Sequence, residues 1–365
     1  MDNLNLKIIN IRARPVAAPI KRPPISASGA ITHAALVLVD LETDGGIEGK
    51  AYLFAFMPSM LAPTVKCVEA VSELIIGDLT APLAIEEKLR KRFTLLDTHG
   101  ILGQALAAVD MAVWDVLAKS RGLPLAQLLG GDVGPIPAYN SCGLWIQDPA
   151  KVADEAEKLL EEGNFNAVKI RLGRQDFKED LAAVRNVKNR IGDDVLLMSD
   201  FNQSLTVREA ILRGRALDDE GLYWIEEPVR HDDYTGCSRV AAKVNTPIQI
   251  GENLLSSFEM QKAIDANAAN YYMPDVQRIG GVTGWLRAAA LAHANGLQMS
   301  SHLFPEISSH LLAVTPTSHW LEYMDWGNAV LKQPIEVKDG HVLIPDVPGT
   351  GLDWDEDAVA HYALR

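Results

Sequence analysis

Cysteine is scarce in this 365-residue chain. Cys67, Cys142 and Cys237 form no C-x-x-C pair, and an odd count builds no disulfide framework. They are expected to be small buried or half-buried thiols in a reducing compartment. Positive charge is also short: 34 Lys and Arg stand against 48 Asp and Glu, a formal net charge of −14. That balance disfavours a protein that binds nucleic-acid phosphates. It does not exclude an anionic substrate, because a metal or a few local cations can supply the opposite charge. No apolar run approaches the ~20 residues of a membrane span. The opening MDNLNLKIINIRARPV carries neither the apolar stretch nor the cleavage site of an export signal. The expectation is a cytoplasmic protein that binds neither nucleic acid nor membrane.

Ordinary globular usage remains, with 48% hydrophobic and 22% charged residues. The length fits one α/β barrel of about 250 residues plus an appended domain. Residues 5–20 and 34–54 read as strands, with a hairpin turn at Asp44-Gly45-Gly46. Between them, residues 20–31 are rich in Pro, Ser and Gly and carry Lys21 and Arg22, as a mobile loop would. Residues 58–121 have helical periodicity, clearest over 102–122, which ends in Lys, Arg and Gly. Residues 1–130 therefore read as a small α+β domain.

From residue 135 the pattern changes. Eight short β-rich runs, from IPAYNSC to SHWLEY, alternate with helical segments. Strand–helix alternation of this kind predicts parallel βαβ units, and eight of them predict a closed β/α barrel over 131–330. No G-x-G-x-x-G follows the first run, which argues against an open dinucleotide-binding sheet. Residues 331–365 read as a tail that packs back on the first domain.

The runs end in polar residues, and in such barrels the C-terminal strand ends form the active-site face. Asp200, Glu226 and Glu252 close three successive runs at spacings of 26 and 26. Three adjacent carboxylates cannot all stay ionised without a counterion, and an all-oxygen set suits Mg²⁺. Glu226 is preferred over Glu227, since neighbours on a strand face opposite ways. Lys169 and Arg171, at i and i+2, face one side and could hold a substrate carboxylate. A lysine there could also act as a base, whereas an arginine could not readily do so. Asp275 and His302 close two further runs. A carboxylate on one imidazole nitrogen fixes the tautomer and makes the other nitrogen a general base. Glu322, on the last run, is expected to be a protonated acid toward the substrate. His310 and His319 are assigned structural roles.

Together these residues resemble the enolase superfamily, and more narrowly mandelate racemase. The segments AVKIRLG, SDFNQSL, WIEEP, IGENLL, MPDVQRIGGVTGW, SSHLFPEISSHLLA and HWLE carry the likeness, with AYLFAFMP and AVDMAVWD before the barrel. The resemblance implies a modified TIM-type (β/α)7β barrel under an α+β capping domain made of the N-terminal region and the tail. It implies Mg²⁺ on Asp200, Glu226 and Glu252, a catalytic dyad of His302 and Asp275, and Lys169 beside the substrate carboxylate. Asn202 lies near metal and substrate, and Glu322 donates a hydrogen bond to the enediolate. Capping loops around 20–31 and 52–57 choose the substrate, which places Lys21, Phe54 and Phe56, with Ser141, among the expected contacts. A homo-oligomer is also implied.

One departure matters. The K-x-K of mandelate racemase is here Lys169-Ile170-Arg171, which removes the second base of a two-base racemisation. With the polar, cationic loop at 20–31, this favours an acid-sugar dehydratase acting on a small carboxylate. A 2-hydroxy-acid racemase or epimerase is the alternative, and a catalytically inactive metal-binding or structural homologue is another. A Schiff-base lysine is a further, more distant one.

Overall fold

The structure is a computed structural model that describes residues 5–27 and 29–364. Ser28 of the expected loop, residues 1–4 and Arg365 lie outside the described residues. The chain opens with β1 (Ile8–Pro19) and a two-residue hairpin, β2 (Ile25–Ser26) and β3 (Gly29–Ala30). The long strands β4 (His33–Thr43) and β5 (Glu48–Phe54) follow. They form an antiparallel sheet in the order β1-β4-β5, with the expected turn between Thr43 and Ile47. The run ALVLV in β4 is apolar on both faces because both faces are covered. Helices α1 (Leu61–Ser72), α2 (Pro82–Arg92), α3 (Gly100–Arg121) and the short α4 (Leu125–Leu128) complete this layer.

By length and composition α3 could cross a membrane, contrary to the expectation from the sequence that no stretch comes close. It is instead a core helix with two buried carboxylates that tie it to the rest of the protein. Asp110 accepts from the Thr283 hydroxyl and N–H. Asp115 accepts from the backbone N–H groups of Lys50 and Thr350.

Among the described residues, eight parallel strands follow. They are β6 (Pro135–Asn140), β7 (Ala167–Arg171), β8 (Leu196–Asp200), β9 (Leu222–Glu226), β10 (Ile248–Ile250), β11 (Tyr271–Tyr272), β12 (Gln298–Met299) and β13 (Leu321–Tyr323). β13 pairs with β6 and closes the barrel. The intervening helices are α5 (Pro149–Glu161), α6 (Phe177–Ile191), α7 (Val207–Leu217), α8 (Tyr234–Ala241), α9 (Ser257–Asp265), the short α10 (Val276–Ile279) with α11 (Gly281–Ala294), and α12 (Pro305–Leu312). This is the (β/α)7β barrel. Several helices start at side-chain caps, among them Asp148, Asp176, Asp233 and Ser256, and Thr206 and Glu209 form a full capping box. Tyr139, Ala167, Met198 and Trp224 plug the barrel beneath the strand ends.

The tail engages both layers. β14 (Val337–Lys338) and β15 (His341–Leu343) extend β6 in antiparallel fashion, so the tail first adds to the barrel. Trp354 then donates to Asp40 of β4 at 2.7 Å, and Arg14 of β1 pairs with Glu356 at the start of α13 (Glu356–Tyr362). A buried hydrogen bond from Tyr52 of β5 to Glu306 of α12, 2.8 Å long, joins the first layer to the barrel.

His310, also on α12, performs the structural role assigned to it. Its Nδ1 accepts from the Ala126 N–H and its Nε2–H donates to the Thr350 carbonyl, both at 3.2 Å. Only a neutral imidazole satisfies both partners. Burial pushes its pKa down to about 4. The unfolded chain therefore binds the proton more readily, and stability from this group is complete above about pH 6.5 and declines as pH falls toward 4. Chemical denaturation should show the stability advantage of wild type over His310→Gln shrinking by ~3 kcal/mol between pH 7 and pH 4. A constant difference would show that the imidazole accommodates a proton when buried.

Candidate active site

Register brings the functional side chains to one level. Along the parallel strands Arg171 is paired with Asp200 and Asp200 with Glu226, while Glu226 is paired with Gln249. The chain then continues past the end of β10 to reach Glu252. Gly251 makes that turn at φ +139°, and a Cβ there would lie 2.7 Å from the Met273 nitrogen. The result is one carboxylate oxygen each from Asp200, Glu226 and Glu252 within 4.8 Å of one another. Glu227, set aside on strand parity, lies outside this triplet and accepts from Asn253 at 2.9 and 3.0 Å. Residues just past the strand ends adopt left-handed backbone, among them Asn202, Gln203, Glu227, Leu303 and Phe304. Such strain concentrates where a fold aims side chains at a site.

Lys169 lies at the centre of the carboxylates. Its ammonium is 2.5 Å from Glu226, 2.8 Å from Glu322 and 3.7 Å from Asp200, and all four side chains are buried. Burial works against the ammonium, but Glu226 and Glu322 outweigh it and hold Lys169 above the ordinary lysine range. These two acids hold the lysine as a cation, and one of them, Glu226, belongs to the carboxylate triplet. Glu226 moves the other way. Burial, helped by Asp200, Glu322 and Glu252 and opposed by Lys169, pushes it up to about 8. Besides the Lys169 ammonium, Trp224 donates to that carboxylate at 3.1 Å.

Glu322, expected from the sequence as a protonated acid, is surrounded by groups that favour its charged form. It accepts from the Ser141 hydroxyl at 2.7 Å and the Leu303 N–H at 3.0 Å. Burial favours its neutral form, but Lys169, His302 and Arg171 override that and hold it well below the usual carboxylate range.

Arg171 is held on several sides. Its guanidinium stacks on Trp145 at 4.4 Å, donates to Ser141 at 3.0 Å, and lies 3.6 Å from Asp200 and 3.9 Å from Glu322. Across the site, His302 Nδ1 is 2.7 Å from Asp275, and Nε2 lies 3.3 Å from Glu252. Asp275 also caps α10 through the Gln277 N–H, which fixes its orientation. Burial lowers the imidazole pKa, but Glu252, the Asp275 hydrogen bond and Glu322 together raise it to about 9.

A cavity of about 360 Å³ opens onto this cluster, bounded by Lys169, Arg171, Asp200, Asn202, Glu252, His302 and Glu322. The expected substrate contacts divide. Asn202 and Phe56 line the cavity. Lys21 does not: it pairs with Glu162 at 3.0 Å, and Arg22 pairs with Glu162 and Glu155, so both turn toward the end of α5. Phe54 is buried behind the wall, 4.5 Å from Phe56 and 4.8 Å from Trp326, with its N–H on Gln277. Ser141 is buried and orients Arg171 and Glu322 instead of lining the space. Sequence reasoning missed Trp145, Arg278 and Trp326 in the lining. All three lie in loops or a short helix beyond the strand ends, where no periodicity marks them.

Comparison with known proteins agrees with this geometry. The description "Mandelate racemase / muconate lactonizing enzyme, N-terminal domain" matches residues 8–130, and "Enolase C-terminal domain-like" matches residues 151–358. L-talarate/galactarate dehydratase of Salmonella typhimurium is 29% identical over 359 residues, 98% of this chain and 90% of the relative. The structure of an enolase from alpha proteobacterium BAL199 with bound Mg is 42% identical, with TM-score 0.96 over 98% of this chain and 100% of that one. A Bradyrhizobium enolase complexed with magnesium and mandelic acid is 40% identical, with TM-score 0.95 over 99% of each chain. With both of its parts matched in order and the barrel's carboxylates, cations and His–Asp pair gathered at one face, the chain belongs to the mandelate racemase/muconate lactonizing enzyme family of the enolase superfamily.

Proposed function

We propose that this chain is a Mg²⁺-dependent dehydratase that removes the α-proton of a 2,3-dihydroxy carboxylate of the sugar-acid type and expels the 3-hydroxyl. The observation that carries the reading is the asymmetry of the site. One side holds a single proton acceptor, the His302–Asp275 pair, and the other holds two fixed cations, Lys169 and Arg171.

The donor set fits the metal. Three buried or half-buried carboxylates, all hard oxygen donors, converge within 4.8 Å, and Lys169 is, among the described residues, the one ammonium ion-paired to two of them, at 2.5 Å from Glu226 and 3.7 Å from Asp200. When bound, Mg²⁺ supplies positive charge opposite the substrate carboxylate as it becomes dianionic. His302 Nε2, the ring nitrogen that Asp275 does not hold, is placed to accept the α-proton. Asp275 keeps Nδ1 protonated and the ring aimed. Lys169 and Arg171 stabilise the negative charge that develops on the carboxylate oxygens in a buried setting. His302, now protonated, returns its proton to the departing 3-hydroxyl, so that water leaves and the enol product becomes a 2-keto acid.

Inversion would need a proton delivered from the opposite face. Lys169 is held as a cation between two carboxylates, and a guanidinium does not exchange its proton readily at neutral pH. The name of the Salmonella relative supports dehydration. Mandelic acid in the Bradyrhizobium structure supports the second reading, a 2-hydroxy-acid racemase. A cytoplasmic homo-oligomer is part of the proposal, supported by the exposed leucines 83, 95 and 96 on the capping layer.

Titration calorimetry should show Glu252→Gln or Asp200→Asn weakening Mg²⁺ binding by at least about 100-fold, more than removal of an outer-shell partner costs. Unchanged affinity would remove the triplet as the metal site. His302→Asn should slow α-deuterium incorporation from D₂O by about 10²–10⁴-fold, and exchange at the wild-type rate would reassign the base. Arg171→Lys restores an exchangeable proton on that face. Gain of inverted product in a chiral assay would establish that Arg171 alone suppresses racemisation, and its absence would place the block in Lys169 and the surrounding carboxylates.

A further inference from the structure

The far end of the cavity has a chemistry opposite to that of its floor. The charged groups concentrate at the strand ends, while the capping layer lines the cavity with Ile31, Phe56 and Met57, and the loop after the last barrel strand adds Met324 and Trp326. The two cations that the capping loop brings, Lys21 and Arg22, are committed to Glu162 outside the cavity. Among the described lining residues, the one cation besides Lys169 and Arg171 is Arg278. Phe56 covers its face at 4.9 Å, a terminal nitrogen donates to Asn253, and its Nε is buried without a partner. Asn253 in turn bonds both Glu227 and Glu252. Arg278 therefore belongs to the framework behind the carboxylates. Met57, at the mouth, leaves 59% of its surface exposed, so apolar area is available for a bound molecule to cover.

We infer that the substrate is a monocarboxylate whose end remote from the reacting carboxylate is apolar, either a methyl-terminated deoxy chain or an aryl group, and not a dicarboxylate. The inference rests on the proposed reaction, since that reaction decides which end of the molecule lies on the floor. A second carboxylate against these apolar side chains would lose its hydration and gain no ion pair from them. It would also approach a floor that already holds Asp200, Glu252 and Glu322. An alkyl or aryl end covers Met57, Phe56 and Trp326 and leaves no polar group unpaired. These apolar side chains thus act as a filter that a sugar diacid fails and a deoxy sugar acid passes.

The test uses two matched series on Mg²⁺-loaded protein. The first sets 6-deoxyhexonates against the hexarates of the same configuration. The second sets 2-hydroxy-2-phenylacetate against 2-hydroxysuccinate. Calorimetry gives affinity; 2-keto acid formation in the first series, and deuterium exchange at the α-carbon in D₂O in the second, where no 3-hydroxyl stands to leave, give reaction. The apolar-ended member should bind at least about tenfold more tightly in its series. Met57→Lys, which puts a cation on the wall, should narrow or reverse that preference. Equal or tighter binding of the diacids overturns the inference, and so does failure of every ligand to bind. If Arg278→Met then abolishes a diacid preference, Arg278 is the reader of a second carboxylate. Tight binding of the apolar-ended ligands with neither keto acid nor α-exchange sustains the inference about the wall and overturns the proposed reaction. Keto acid formed with the diacids preferred overturns the inference and sustains the reaction.

Discussion

The active-site face depends on one electrostatic constraint: a surplus of buried negative charge around the Lys169 ammonium. Asp200, Glu226 and Glu322 all lie within 4 Å of it, and Glu252 and Asp275 stand beyond them around His302. Isolated carboxylates at such depth would be neutral. Lys169 and Arg171 keep Glu322 charged, and Glu226 is left short of compensation. The cluster is complete only with a further cation at the triplet. Metal affinity, ionisation of the acids and basicity of His302 are therefore linked through the same charges.

The scaffold separates the tasks that this cluster imposes. In-register parallel strands set Arg171, Asp200 and Glu226 side by side at fixed depth. Residues that must lean inward from beyond the strands do so on strained or glycine turns, as Gly251, Leu303 and Phe304 show. The capping layer supplies no charge to the reaction. It contributes apolar wall through Ile31, Phe56 and Met57, and it is anchored to the barrel by the Tyr52–Glu306 and Asp110–Thr283 contacts. Chemistry thus resides on rigid strands and substrate choice on loops, a division common in barrel enzymes.

Of the two features of the sequence that pointed to an acid-sugar dehydratase, Arg171 and a cationic loop at 20–31, only the first faces the substrate cavity. The loop cations are bound to Glu162 and offer nothing to a polar substrate end. Stacked on Trp145 and bonded to Ser141, Arg171 is a fixed cation in the site wall.

Barrel and capping layer were both legible from local pattern, because strand–helix alternation and helical periodicity are properties of neighbouring residues. The triplet Asp200, Glu226 and Glu252 and the pair Asp275 and His302 were legible too, since each closes a recurring unit and the closed barrel brings equivalent positions together. What the sequence alone determined was which residue types end each strand. Tertiary structure alone decided their state. Lys169 and Glu322 trade charge only because they meet across the closed barrel, although they lie on its second and last strands and far apart in the chain. Lys21 leaves the site because Glu162 lies nearer, and Trp145 joins it because Arg171 rests on its face. Periodicity reports the direction of a side chain from its own backbone. Ionisation and pairing depend on distances between segments remote in the chain, and those exist only after folding.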